Sequence, residues 1–279
     1  MQDAQSSEMQ VDFLHQGRPA LMPVDLSKGT IFFEAYVNGT RVWVLLDNGS
    51  DNTLIDSTLA RELGIPLVGA DKNIRSPSGV LRTFVAERIK LQIPNQIEMT
   101  GPVYAADLAP ISDLIDRPIG LVLGNDVLAN LSYVIDARNS RILFVSSGAI
   151  ELNGPNVRTV SFDNGILKGR LNGRDVRLRI DLGSSYPISI FENSWAKIFG
   201  DVSGDRTSTS ADASGHAQTV EILTEIDFEL AQTSSKTSVT RIVHPSTEID
   251  GHVGFSFFAD KVVVIDQDAG VLTLVERTP

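Results

Sequence analysis

Cysteine is missing altogether from the 279 residues. That absence excludes disulfide staples, thiolate metal sites and a cysteine nucleophile, and it leaves the redox compartment open. Long apolar runs are missing too, since no stretch reaches the roughly 18 residues a helix needs to cross a bilayer. There is no basic block, and the net charge is −11, which argues against nucleic acid or an anionic membrane as partner. The four histidines, His15, His216, His244 and His252, are scattered without ligand spacing. They point to structural or loop roles, and no metal or cofactor is expected. The first eight residues are polar and carry no apolar h-region. They read as a cytoplasmic start or as the stub left by signal-peptide removal, with a periplasmic or secreted setting the favoured expectation.

What is present is a repeat. Val37-Asn38-Gly39 is followed after seven residues by Asp47-Asn48-Gly49-Ser50, and Leu171-Asn172-Gly173 is followed after seven by Asp181-Leu182-Gly183-Ser184. The same 134-residue offset separates Gly39 from Gly173 and Asp47 from Asp181. A lone Asp-Xaa-Gly-Ser is ordinarily a turn; two copies in one local frame mean a duplicated unit that presents one aspartate per copy. Residues 57–64 and 193–200 match as well, each a short helix closed by glycine. Both copies end alike, Val134-Ile135-Asp136 in one and Val264-Ile265-Asp266 in the other, now 130 residues apart. Loops absorb that difference. The expected organisation is a tail or first strand over 1–21, one lobe over 22–148 and a homologous lobe over 149–279.

Alternating apolar and β-branched runs predict strands over 30–37, 41–46, 84–93, 133–136, 142–145, 174–180, 220–230, 239–243, 262–266 and 271–275. Asn38-Gly39 and Asn172-Gly173 suit two-residue hairpin turns, whose central positions need positive φ. Residues 200–218, rich in Ser, Thr, Gly and Asp, read as a long connection or a hairpin tip. The fold class is all-β, with one short helix per lobe. Asp136 and Asp266 read as turn-fixing residues of the closing hairpins, and Trp43 and Trp195 as core.

Asp47 ends an apolar strand, and Asp181 ends one interrupted by Arg179. A carboxylate there is costly unless hydrogen-bonded or paired. If the lobes face each other the two meet, hold one proton between them and titrate together. The ionised member then activates a water and the protonated member polarises a carbonyl. Spacing also excludes a calcium loop beginning at Asp47, because Thr58 holds the twelfth position.

Leu45-Leu46-Asp47-Asn48-Gly49-Ser50, with Leu121-Val122-Leu123-Gly124 downstream, resembles the retropepsin-like and pepsin-like aspartic peptidases. The resemblance covers nearly the whole chain as two retropepsin-like β-barrel lobes with a cleft between them. It implies an aspartic-type endopeptidase with Asp47 and Asp181 as catalytic dyad. It implies peptide contacts at Gly49, Ser50, Gly183 and Ser184, and cleft-covering hairpins around Ser78-Gly79 and Ser214-Gly215. It also implies a peptide or protein substrate, no metal, and a monomer, with a homodimer as the other arrangement. Two positions depart from the pattern. The threonine that follows the aspartate, and that ties the lobes together in the family, is Asn48 in one copy and Leu182 in the other. Pro187 stands where the first copy has Thr53. These departures keep a second reading open: a binding or scaffolding module that retains the fold without hydrolysis.

Overall fold

The structure is a computed structural model that describes residues 9–14, 19–76, 79–211, 217–243, 246 and 248–276. Two six-stranded closed sheets form its lobes. The first is built from β1 (Ile31–Val37), β2 (Thr40–Leu46), β3 (Leu54–Asp56), β4 (Gly79–Ile93), β5 (Ile97–Ala106) and β6 (Ile119–Leu123). Its strands neighbour one another in the order β1-β2-β6-β3-β5-β4, and β4 returns to pair with β1. Next come β7 (Ser132–Asp136) and β8 (Arg141–Val145). The second lobe uses β9 (Ile166–Leu171), β10 (Arg174–Asp181), β11 (Ile188–Phe191), β12 (Ala217–Leu230), β13 (Thr233–Ile242) and β14 (Gly251–Gly254). Its order is β9-β10-β14-β11-β13-β12, with β12 returning to β9.

The two orders are the same. So are the directions: β2–β6 and β10–β14 are parallel, as are β3–β5 and β11–β13. The duplication in the sequence is therefore a duplication of topology. Local chemistry sets the shared landmarks. Asn38 and Asn172 both take positive φ at the hairpin turns, each followed by a positive-φ glycine, as a type I′ turn demands. Gly64 and Gly200 close the helices Ser57–Glu62 and Glu192–Phe199 at φ of 66° and 67°, a region costly for any residue with a Cβ.

A third sheet belongs to both lobes. Its strands run in the order Val157–Ser161, β16 (Val271–Val275), β15 (Val262–Asp266), β7, β8, Met22–Pro23. The central pair, β7 with β15, sets Val134 opposite Val264. The seam between lobes is thus a continuous ladder, and its underside joins the main apolar core through Ile135, Phe144, Val263 and Ile265. Asp136 accepts from the N–H of Asn139, and Asp266 from the N–H groups of Gly148 and Ala269, the turn-fixing role expected of them.

Several strands escaped sequence reading. β3, β11 and β14 are three or four residues long, too short to show a period. β5 is interrupted by Gly101 and Pro102 in the middle of its apolar pattern. Within 200–218, Arg206–Ala211 is a strand paired with β12, so the hairpin reading holds for that segment. Residues 10–13 form an edge strand on β5. Trp195 is fully buried, whereas Trp43 is only partly buried and is capped by the Arg117 guanidinium at 4.2 Å. Pairing with Asp25 and stacking on two rings let that cation cover the tryptophan.

Gly124 follows β6 and Gly254 ends β14, each where two chain segments nearly touch. A Cβ on Gly124 would lie 2.7 Å from Thr53 N, and one on Gly254 would lie 2.7 Å from Ser184 O. Gly124→Ala is expected to destabilise the protein by about 1–3 kcal/mol, because backbone cannot move aside cheaply. A lowered urea midpoint at unchanged slope checks this.

Candidate active site

Both aspartates stand at strand ends, where the chain leaves the sheet in a tight turn. The N–H groups of Gly49 and Ser50 donate to Asp47 Oδ1 at 3.0 and 3.2 Å. The N–H groups of Gly183 and Ser184 donate to the Asp181 carboxylate in the same way. The lobes bring the turns face to face. A Cβ on Gly49 would lie 2.6 Å from Asp181 Cγ, and one on Gly183 would lie 2.8 Å from Asp47 Oδ2. Each carboxylate therefore occupies the space that the opposite lobe leaves by using glycine.

Electrostatics follow from that approach. Burial raises the Asp47 carboxyl, the facing Asp181 charge adds to it, and the pKa is pushed up to about 7 despite the two amide hydrogen bonds. Burial also raises Asp181. The amides of Gly183 and Ser184, the Arg179 cation and a hydrogen bond from Asp47 oppose that rise. Two close carboxyls holding one proton between them behave this way.

Beneath the dyad a polar side chain of lobe 1, Asn48, reaches across to lobe 2. Asn48 is buried, and its Oδ1 accepts the N–H of Leu182 at 2.8 Å. The Asn48 amide also hydrogen-bonds the Tyr133 hydroxyl. Gln267 Nε2 donates to that hydroxyl at 3.0 Å. The line Gln267–Tyr133–Asn48–Leu182 thus runs from the shared sheet, through lobe 1, into the turn of lobe 2. Leu182 needs no polar partner for its side chain, because it is fully buried in the apolar core. By the offsets of the repeat, Asn48 and Tyr133 correspond to Leu182 and Val263: a polar pair in one lobe, an apolar pair in the other.

The second departure is also compensated. In lobe 1 the Gly124 N–H donates to Thr53 Oγ1 at 3.0 Å, and Thr53 Oγ1 donates to Asp126 Oδ1 at 2.6 Å. In lobe 2 the Gly254 N–H donates to the Pro187 carbonyl at 2.9 Å. A backbone acceptor takes the place of the hydroxyl, and proline has one to offer.

Among the other expected site residues, Gly49 and Gly183 adjoin the dyad directly. The Ser50 hydroxyl is turned away from the carboxylate and donates to Asn52 O at 2.8 Å, so Ser50 reaches Asp47 only through its backbone. Ser184 Oγ accepts from the Tyr186 N–H at 3.4 Å. Gly79 begins β4 and pairs with Ser76, the last residue of the strand Leu67–Ser76. Ser78, Ser214 and Gly215 lie outside the described residues. Sequence reasoning passed over Tyr133, Gln267 and His252. The last stands with Nδ1 4.0 Å from Asp181 Oδ2. Asn48 in the threonine position was the one visible clue to the first two; nothing in the spacing marked His252. Among the described residues, no group of three or more His, Asp or Glu is placed to hold a metal, and no helix is long and apolar enough to cross a membrane.

Residues 33–127, most of the first lobe, match the family described as aspartyl protease. No curated protein matches the chain. Among solved structures, that of an aspartic proteinase from Irpex lacteus is similar, with a TM-score of 0.61 and 12% identity over 94% of this chain and 98% of that one. The likeness is one of fold: two lobes, nearly all β.

Two predictions arise. Asn48→Ala strands the buried Leu182 N–H and is expected to cost about 1–3 kcal/mol in chemical denaturation. The second concerns pH. Asp47 in the folded state holds its proton more tightly than the unfolded value of 3.8. The native state therefore binds more protons between the two, and stability present below 3.8 falls as pH rises towards about 7. Asp47→Asn should flatten the decline in melting temperature across that interval.

Proposed function

We propose that this chain, a two-lobed member of the aspartic peptidase family, is an endopeptidase that uses Asp47 and Asp181 to drive water onto a peptide bond. The observation that carries the reading is the mutual seating of the two carboxylates, each against the glycine of the opposite turn. One chain supplies both, so a monomer is the working unit of this proposal.

The chemistry uses one shared proton. The ionised carboxylate takes a proton from a water lying between the pair, and the water oxygen bonds to the scissile carbonyl carbon. The protonated carboxyl gives its proton to the carbonyl oxygen, forming a gem-diol. The first carboxyl then gives its proton to the nitrogen while the second takes a proton from a gem-diol hydroxyl, the C–N bond breaks, and amine and acid leave with the dyad restored. General acid–base assistance of this kind contributes about 10²–10⁴-fold. The substrate would lie extended across the cleft and pair with strand edges. The hairpins that lead into Ser78-Gly79 and Ser214-Gly215 would cover it, with Gly49, Ser50, Gly183 and Ser184 lining its path. Support against the binding-module reading comes from the two departures: Asn48 still bridges the lobes, and Pro187 still accepts from Gly254.

Cleavage of a diverse peptide mixture between pH 3 and 8 tests the proposal. Wild type should cut, and Asp47→Asn and Asp181→Asn should each lose at least about a hundredfold. An inert wild type, or an Asp181→Asn variant of unchanged rate, would refute it.

A further inference from the structure

The two turns treat their carboxylates alike, so any difference between Asp47 and Asp181 must come from the surrounding lobes. The register locates it. On β2 and β6, Leu45 stands opposite Val122. On β10 and β14, at the same places in the duplicated topology, Arg179 stands opposite His252. Leu45 and Val122 belong to a small apolar cluster with Phe32, Leu54 and Ile111, covered by the helix Ala109–Ile115. In the second lobe no helix appears among the described residues between β13 and β14, and the equivalent face carries a cation and an imidazole.

Side chains two apart on a strand share a face, so Leu45 lies on the face of Asp47 and Arg179 on that of Asp181. Arg179 makes no ion pair among the described residues, and its Nε has no hydrogen-bond partner. It borders a polar cavity of about 150 Å³ that Asn48, Asp51 and Gln267 also line. Asp51 shares that cavity without forming an ion pair with Arg179. His252 lies 4.0 Å from Asp181, its ring edge-on to Phe191. Burial and the Arg179 cation push its pKa down to about 4, so above that it is neutral. Among the described residues, Asp47 across the seam, Arg179 on its own strand and His252 on β14 are the charged or titratable groups near Asp181, with Asp51 on the cavity that Arg179 borders; β9 sets Ile166 opposite Arg179.

We propose that Arg179 divides the labour of the dyad: Asp181 is the ionised member that takes the proton from water, and Asp47 is the member that keeps the proton for the carbonyl oxygen. Arg179 is a positioning residue that acts through Asp181. The inference rests on the peptidase reading for its consequences in turnover, while the location of the proton is a property of the folded protein alone.

The repeat itself supplies the variants, since lobe 1 already folds with leucine and valine at these places. In Arg179→Leu, the acidic limb of the kcat/KM profile should move up by about one pH unit, within the range a neighbouring opposite charge produces. Arg179→Lys, which keeps the charge, should restore the limb close to wild type. His252→Val should move it less than Arg179→Leu does. A folded Arg179→Leu protein with an unmoved limb overturns the proposal, as does an equal shift in Arg179→Lys. Carbon-13 titration of the aspartate carboxyls reads the same question without turnover. The lower apparent step should report at Asp181 in wild type and rise in Arg179→Leu; a lower step at Asp47 overturns the assignment. A wild type that cuts nothing yet titrates with the lower step at Asp181 would defeat the peptidase reading and leave the electrostatic one standing.

Discussion

Two carboxyl groups meet at the seam of two lobes, and the rest of the structure is arranged around the difficulty of keeping them there. Like charges in a buried setting repel, and removal from water makes each charge dearer still. The chain meets this in three ways. Glycine in each turn leaves space for the opposite carboxyl. Paired backbone N–H groups stabilise whichever carboxyl is ionised. Burial and the facing Asp181 push the Asp47 pKa up to about 7, so below that pH the pair is relieved of its second charge. The first and the last depend on the lobes keeping a fixed separation.

That separation comes from the shared sheet and from one polar line. The ladder between β7 and β15 makes the seam part of a regular hydrogen-bonded surface, so the lobes cannot slide without breaking it. From that surface Tyr133 reaches Asn48, and Asn48 reaches the backbone of Leu182. A symmetric pair of lobes would need two such ties. Among the described residues Asn48 makes this tie from the first lobe, and the equivalent places of the second lobe hold Leu182 and Val263 in the apolar core. The two copies share a topology and differ in how each supports its aspartate.

Much of the fold was legible in the sequence, for identifiable reasons. Asn-Gly turns and helix-closing glycines leave strong local marks, and their constant offset gave the two lobes and paired Asp47 with Asp181. The short strands β3, β11 and β14 were not legible, because three or four residues cannot display a period. The shared sheet was hidden for another reason: the pairing that joins its two hairpins links residues about 130 positions apart, and no local pattern encodes that. At the site, Leu182 and Pro187 looked like losses when judged by side chain alone. The backbone carries both functions, since the Leu182 N–H is what Asn48 holds and the Pro187 carbonyl is what Gly254 meets. His252 was read as a structural or loop residue. Only the register of β10 against β14 brings it to the dyad.

The central claim is that Asp47 and Asp181 act as one proton-sharing unit in a single chain. Thermal unfolding near pH 5 with a statine-type peptide, whose hydroxyl mimics the attacking water, tests it most directly. The peptide is expected to raise the melting temperature of wild type and to leave that of Asp181→Asn unchanged. An equal rise in both proteins, or none in wild type, would contradict it.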